Sequence, residues 1–147
     1  MRACFGLIFL AAVGLGGCGD DVGALDMNVS MPDLSGTLNS DLAGVHLVTV
    51  SPNGTLTYAP STITIPAGDS VLWIWAAGGH TVTSGSAGVA DGVFCSGAPT
   101  NPSVAACSAE GGHPAGFTYE HAFPTAGSFP YFCNVHGAIM GGTIVVQ

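Results

Sequence analysis

The stretch YFCNVHGAIMGG (131–142) places a thiol, an imidazole and a thioether in one short loop, as Cys133-x-x-His136-x-x-x-Met140. These are soft or borderline metal ligands, and a trigonal or tetrahedral site needs at least one more donor from elsewhere. His80 is the best candidate, set after Gly78-Gly79 at the head of His-Thr-Val-Thr. Two imidazoles and a thiolate in a plane, with a weak axial thioether, form the donor set of blue copper electron-transfer sites. Zinc fits less well, because Met rarely binds it and structural zinc sites use more Cys. A dinuclear centre would need a second cysteine in the ligand loop, where Cys133 stands alone.

The elements that must position these residues begin after residue 42. Short β-rich runs separated by turn residues are expected as strands at 45–50, 62–65, 70–76, 80–84, 117–123, 128–133 and 142–146. Pro52-Asn53-Gly54, Pro66-Ala67-Gly68-Asp69 and Thr125-Ala126-Gly127 are turn sequences. No stretch has the period of a long amphipathic helix, so the expected fold is all-β: a Greek-key antiparallel β-sandwich. Alternation puts Val71, Trp73 and Trp75 on one face, as core, and sends Phe129, Tyr131 and Cys133 to one side of their strand.

Residues 1–17 have a minimal positive start and an apolar run at 5–15, the grammar of a secretory signal too short to span a membrane. Leu15-Gly16-Gly17-Cys18 resembles the lipobox of bacterial lipoproteins, which makes Cys18 the expected lipid anchor. Residues 18–42 are rich in Asp, Ser, Gly and Asn without sustained periodicity and read as a flexible acidic tether. Met27 and Met31 are read as incidental residues within it. The expected domain is 43–147. Export implies an oxidising compartment, where Cys95 and Cys107 are expected to close a local disulfide, leaving Cys133 for other chemistry.

The chain has one Lys or Arg against nine Asp or Glu, and that one cation is Arg2. Such a surface repels phosphate backbones and anionic headgroups, so nucleic-acid binding and electrostatic membrane binding are excluded.

Taken in order, Tyr58-x-Pro-x-x-Ile-x-Ile-x-x-Gly-Asp-x-Val-x-Trp, His80-Thr-Val, Phe123-x-x-x-Gly-x-Phe-x-Tyr-x-Cys-x-x-His, Met140 and Gly142-x-Ile-x-Val resemble a cupredoxin of the plastocyanin and amicyanin group. The resemblance implies one type 1 copper ion held by His80, Cys133, His136 and Met140. It implies a one-electron carrier rather than an enzyme, exported to the bacterial envelope or periplasm. The expected partners are redox proteins such as cytochromes or membrane oxidoreductases, docking on an apolar patch at Gly137, Ala138 and Ile139 around His136. Copper storage or delivery is the alternative, although the clustered Met or His that would mark it is nearly absent. Copper enzymes need a second copper centre, which this sequence does not show.

Three positions should tune the site. Gly79 precedes the first histidine. Thr81 stands where plastocyanins commonly have Asn, so the usual brace of the copper loop must differ. Val135 replaces a common Pro and keeps an N–H, which is expected to donate to the Cys133 sulfur. Phe132 occupies the place of the plant docking tyrosine, and no acidic run follows residue 43, so that second docking route is not expected. The segment 85–116 is longer than a hairpin needs. His46, His113 and His121 are expected to be surface or half-buried histidines rather than a second metal site, and Asp91 and Glu120 solvated charges.

Overall fold

The computed structural model describes residues 43–147; the expected signal, Cys18, and the tether with Met27 and Met31 lie outside the described residues. Nine strands follow in order: β1 (Val45–Val50), β2 (Tyr58–Ala59), β3 (Thr62–Ile65), β4 (Ser70–Trp75), β5 (Thr83–Ser86), β6 (Val89–Cys95), β7 (Thr118–Ala122), β8 (Gly127–Cys133) and β9 (Gly137–Val146). One five-residue helix, α1 (Val104–Ser108), lies between β6 and β7. Its N-cap is Ser103, whose Oγ accepts the Ala106 N–H at 3.1 Å.

The strands form a sandwich of two sheets, ordered β2-β1-β4-β7 and β3-β9-β8-β5-β6. The pattern is mixed rather than wholly antiparallel, because β1 pairs with β4 and β3 with β9 in parallel. In each parallel pair the chain visits the other sheet between the two partners, so they are not joined by a hairpin. Alternation sets the core as expected: Val71 and Trp73 are fully buried and Trp75 nearly so, beside Val48, Val50 and Tyr119 of their own sheet and in one core cluster with Phe94, Tyr131 and Ile144 of the other. Trp73 stacks on Tyr119 of its own sheet and meets Tyr131 of the other edge-on, each at 5.5 Å between ring centroids, and the second contact ties the two sheets together.

Two sequence boundaries shift. The expected strand at 80–84 begins only at Thr83; His80 instead makes an isolated bridge to His113, because the Gly78-Gly79 turn carries the chain across the end of the sandwich. The last strand starts at Gly137 rather than 142. The extra segment is itself structured. It supplies β6 and α1, joined by the Cys95–Cys107 disulfide with Cα atoms 5.6 Å apart. Together they cover the outer face of β8, burying Phe132 against Ala90 and the two half-cystines.

Candidate metal centre

His80 comes from the turn after β4, and both neighbouring elements hold its backbone. Its carbonyl accepts the Trp75 indole N–H at 2.8 Å and the His113 N–H at 2.9 Å. Gly79 sits at φ +87°, a conformation that side chains resist, and donates its N–H to the His113 carbonyl. Tyr58 of β2, in the same sheet as β4, adds a hydroxyl bond of 2.6 Å to the Thr81 carbonyl. Burial drives the Tyr58 pKa far above its ordinary value, so it stays a donor.

The other donors come from the end of β8 and the start of β9. A register shift after Phe132 sets Cys133 opposite Gly137, and the residues between close a turn with the His136 N–H bonded to the Cys133 carbonyl at 3.1 Å. The turn brings His136 back over the thiol. Cys133 Sγ faces His136 Nδ1 at 3.3 Å and His80 Nδ1 at 4.0 Å, and the two rings lie 4.9 Å apart. The three candidate ligand atoms lie within 4.8 Å of one another. Met140 is fully buried in the same core cluster as Cys133. His80 is 5 % exposed, while His136 is half-buried at the rim. Burial, and then the neighbouring His136, hold the His80 imidazole below its ordinary pKa of 6.5, favouring the neutral form that a metal requires.

A buried thiol with no disulfide partner among the described residues, flanked by two imidazole nitrogens, needs an explanation. Metal bonds of about 2.3 Å to sulfur and 2.0–2.1 Å to nitrogen imply S···N separations of about 3.6–3.8 Å around a trigonal to tetrahedral ion. The observed 3.3 and 4.0 Å bracket that value. The donors therefore fit a small soft-to-borderline metal, and the buried thioether favours copper over zinc.

Residues 45–147 match the model of the family described as copper binding proteins, plastocyanin/azurin family. The chain belongs to this family of copper-binding proteins. It is 35 % identical over 121 residues to the chloroplastic plastocyanin of Tetradesmus obliquus, covering 81 % of this chain and 77 % of that one. It is 38 % identical over 98 residues to the plastocyanin of Scenedesmus fuscus, covering 65 % of this chain and 91 % of the other. In fold it is similar to a purple cupredoxin from Nitrosopumilus maritimus, with TM-score 0.52 at 21 % identity over 69 % of this chain and 99 % of that one. Copper is the cofactor of this cupredoxin, and His80, Cys133, His136 and Met140 form an arrangement like a type 1 site.

One tuning contact differs from expectation. Among the described residues the backbone donor to Cys133 Sγ is the Thr81 N–H, at 3.4 Å, and Val135 makes no hydrogen bond to the sulfur. Val135 is half exposed at the corner of the turn, whereas Thr81 is fully buried beside the thiol. Thr81 also accepts the Asn134 N–H on its hydroxyl at 2.7 Å, and so braces the ligand loop where the family commonly has Asn. The further histidines form no second metal cluster among the described residues. His113 stacks on Phe117 and contacts Glu110, His121 packs on Phe94, and His46 pairs with Asp69 at 2.7 Å. Asp91 and Glu120 are exposed, yet each accepts a serine hydroxyl, from Ser84 and Ser70. Sequence reasoning did not single out Glu110, a buried carboxylate in a Gly-rich loop whose spacing carries no signal.

Proposed function

We propose that this cupredoxin is a one-electron carrier of the bacterial envelope or periplasm, with a mononuclear type 1 copper site at His80, Cys133, His136 and Met140. One observation carries the reading: a buried thiol, unpaired among the described residues and faced by two imidazole Nδ1 atoms, in a chain of a copper-binding family. Copper bound there supplies reversible one-electron chemistry. The protein's part is to hold the donors still and dry. Cys133 and Met140 are fully buried and His80 is fixed through its carbonyl, so the ligands have little room to rearrange between oxidation states.

His136 reaches the surface beside Gly137, Ala138 and Ile139, and Ile139 is 74 % exposed. An apolar rim around the ligand nearest solvent suits brief docking of a redox protein such as a cytochrome or a membrane oxidoreductase. Phe132, buried at 2 % exposure, offers little surface for the alternative route through that side chain. Cys18 as a lipid anchor would tether the domain to a membrane, adding about 0.8 kcal/mol per buried methylene.

Visible absorption and electron paramagnetic resonance after copper(II) loading test the site. An intense thiolate-to-copper band with narrow hyperfine splitting, lost in Cys133→Ser, is expected. Pale absorption indifferent to Cys133 would overturn the reading. Loss of membrane association in Cys18→Ser is expected of the anchor.

A further inference from the structure

The segment 85–116 delivers a carboxylate to the interior. The Glu110 side chain is 1 % exposed, and residues 43–147 contain no Lys or Arg to neutralise it. Its Oε2 accepts the Thr83 hydroxyl at 3.0 Å. Its Oε1 accepts the Ser96 hydroxyl and lies 3.1 Å from His113 Nε2. Thr83 Oγ1 lies 3.0 Å from Thr81 Oγ1, which accepts the Asn134 N–H, and the Thr81 N–H reaches Cys133 Sγ.

The direction of this chain follows from its end. A carboxylate only accepts, so Thr83 must donate to Glu110 and its oxygen must accept from the Thr81 hydroxyl. The Thr81 oxygen is then left with lone pairs for the Asn134 N–H, next in sequence to Cys133. The same loop is gripped a second time, because Asn134 Nδ2 donates to the carbonyls of Glu110 and Ser108, each at 3.0 Å. Buried networks of this kind lock geometry when every member is satisfied.

We propose that Glu110 is a positioning residue for Cys133. Through Thr83 and Thr81 it polarises and fixes the hydrogen bonds that hold the ligand loop and aim the Thr81 N–H at the sulfur. The disulfide-bridged segment exists in part to place that carboxylate. The bracing is a property of the metal-free fold; only its effect on the loaded site rests on the copper reading.

Glu110→Leu keeps the bulk but removes both acceptor oxygens at the end of the chain, where Gln could still turn one oxygen to Thr83. Thr83→Val keeps the volume and removes the middle link. Two readouts apply: amide hydrogen exchange of the metal-free protein, and the thiolate-to-copper band of the loaded one. In both variants exchange at Asn134 and Thr81 is expected to rise about five-fold relative to Ile144 and Val146, the change that one net hydrogen bond implies. The band should move in both. The double variant should add little to either single, since all act through one chain. Exchange at Asn134 rising only in step with Ile144, or a band unmoved in both variants, would overturn the proposal. A wild-type protein with no such band would instead sink the copper reading, while selective exchange in the metal-free protein would still support the bracing.

Discussion

Cutting the Cys95–Cys107 bridge should cost the fold about 3 kcal/mol. The two cysteines are twelve positions apart. On the chain-entropy model, opening a loop of that length frees the unfolded chain by about 9–10 cal/mol/K, which gives the figure above at room temperature. The native side should change little, because both sulfurs are fully buried against Phe132 and Ala90 and reduced thiols would remain there. Helix α1, with five residues, is too short to hold the segment by itself. The assay is guanidinium unfolding of the Cys133→Ser protein, metal-free, with and without reductant. With a slope of about 3 kcal/mol/M, the midpoint should fall by about 1 M at unchanged slope. A fall worth under 1 kcal/mol would refute the reasoning, showing that segment 96–106 is constrained equally without the bridge.

Gly142→Ala would set a methyl against the Tyr131 ring, which is buried in the core and cannot give way, so thermal melts should show destabilisation of about 1–3 kcal/mol. Burial holds the His121 pKa below its ordinary 6.5, so the unfolded chain takes up its proton first as pH falls. That part of the stability is complete above pH 6.5 and lost as pH drops through the lowered native value; His121→Phe should flatten denaturation midpoints between pH 7.5 and 5. Met140→Leu conserves core volume and should cost under about 1.5 kcal/mol, while cyclic voltammetry shows a higher reduction potential because a weak donor to the oxidised ion is lost. Ile139→Asp should slow electron self-exchange, read from NMR line broadening, by about ten-fold through lost apolar contact and like-charge repulsion at the patch, with the absorption band unmoved.

Much of the sandwich was legible because its strands follow simple alternation. β1 and β3 begin and end where the apolar pattern does, and Trp73 and Trp75 of β4 turn inward as their spacing requires. β6 was hidden: Ala90, Asp91 and Gly92 interrupt any apolar run, and only Phe94, in the main core, and Ala90 and Cys95, packed with Phe132 and Cys107, are buried. His80 read as a strand residue because His-Thr-Val-Thr alternates, yet Gly79 bends the backbone first. The candidate ligands stood out because Cys133, His136 and Met140 share one loop. Glu110 could not stand out, since its partners Ser96 and Thr83 are 14 and 27 positions away and an acid beside Gly111 and Gly112 reads as solvated.

The candidate ligands gather where the chain crosses from one sheet to the other, and that placement explains why a sandwich suits a metal site. His80 hangs from the end of β4, while Cys133, His136 and Met140 ride on β8 and β9 of the other sheet. A flexible loop joining all four would let them follow any change in preferred geometry. Here the Trp75 and Tyr58 bonds fix the His80 segment from one sheet, and the Thr81 N–H fixes it to the sulfur of the other. Thr83, three residues on, already pairs with Phe132 of β8, so His80 is held between β4 of one sheet and β5 of the other, and moving it relative to Cys133 means straining both. The spacing of the candidate donors is thus set by the core and by the strands that frame it.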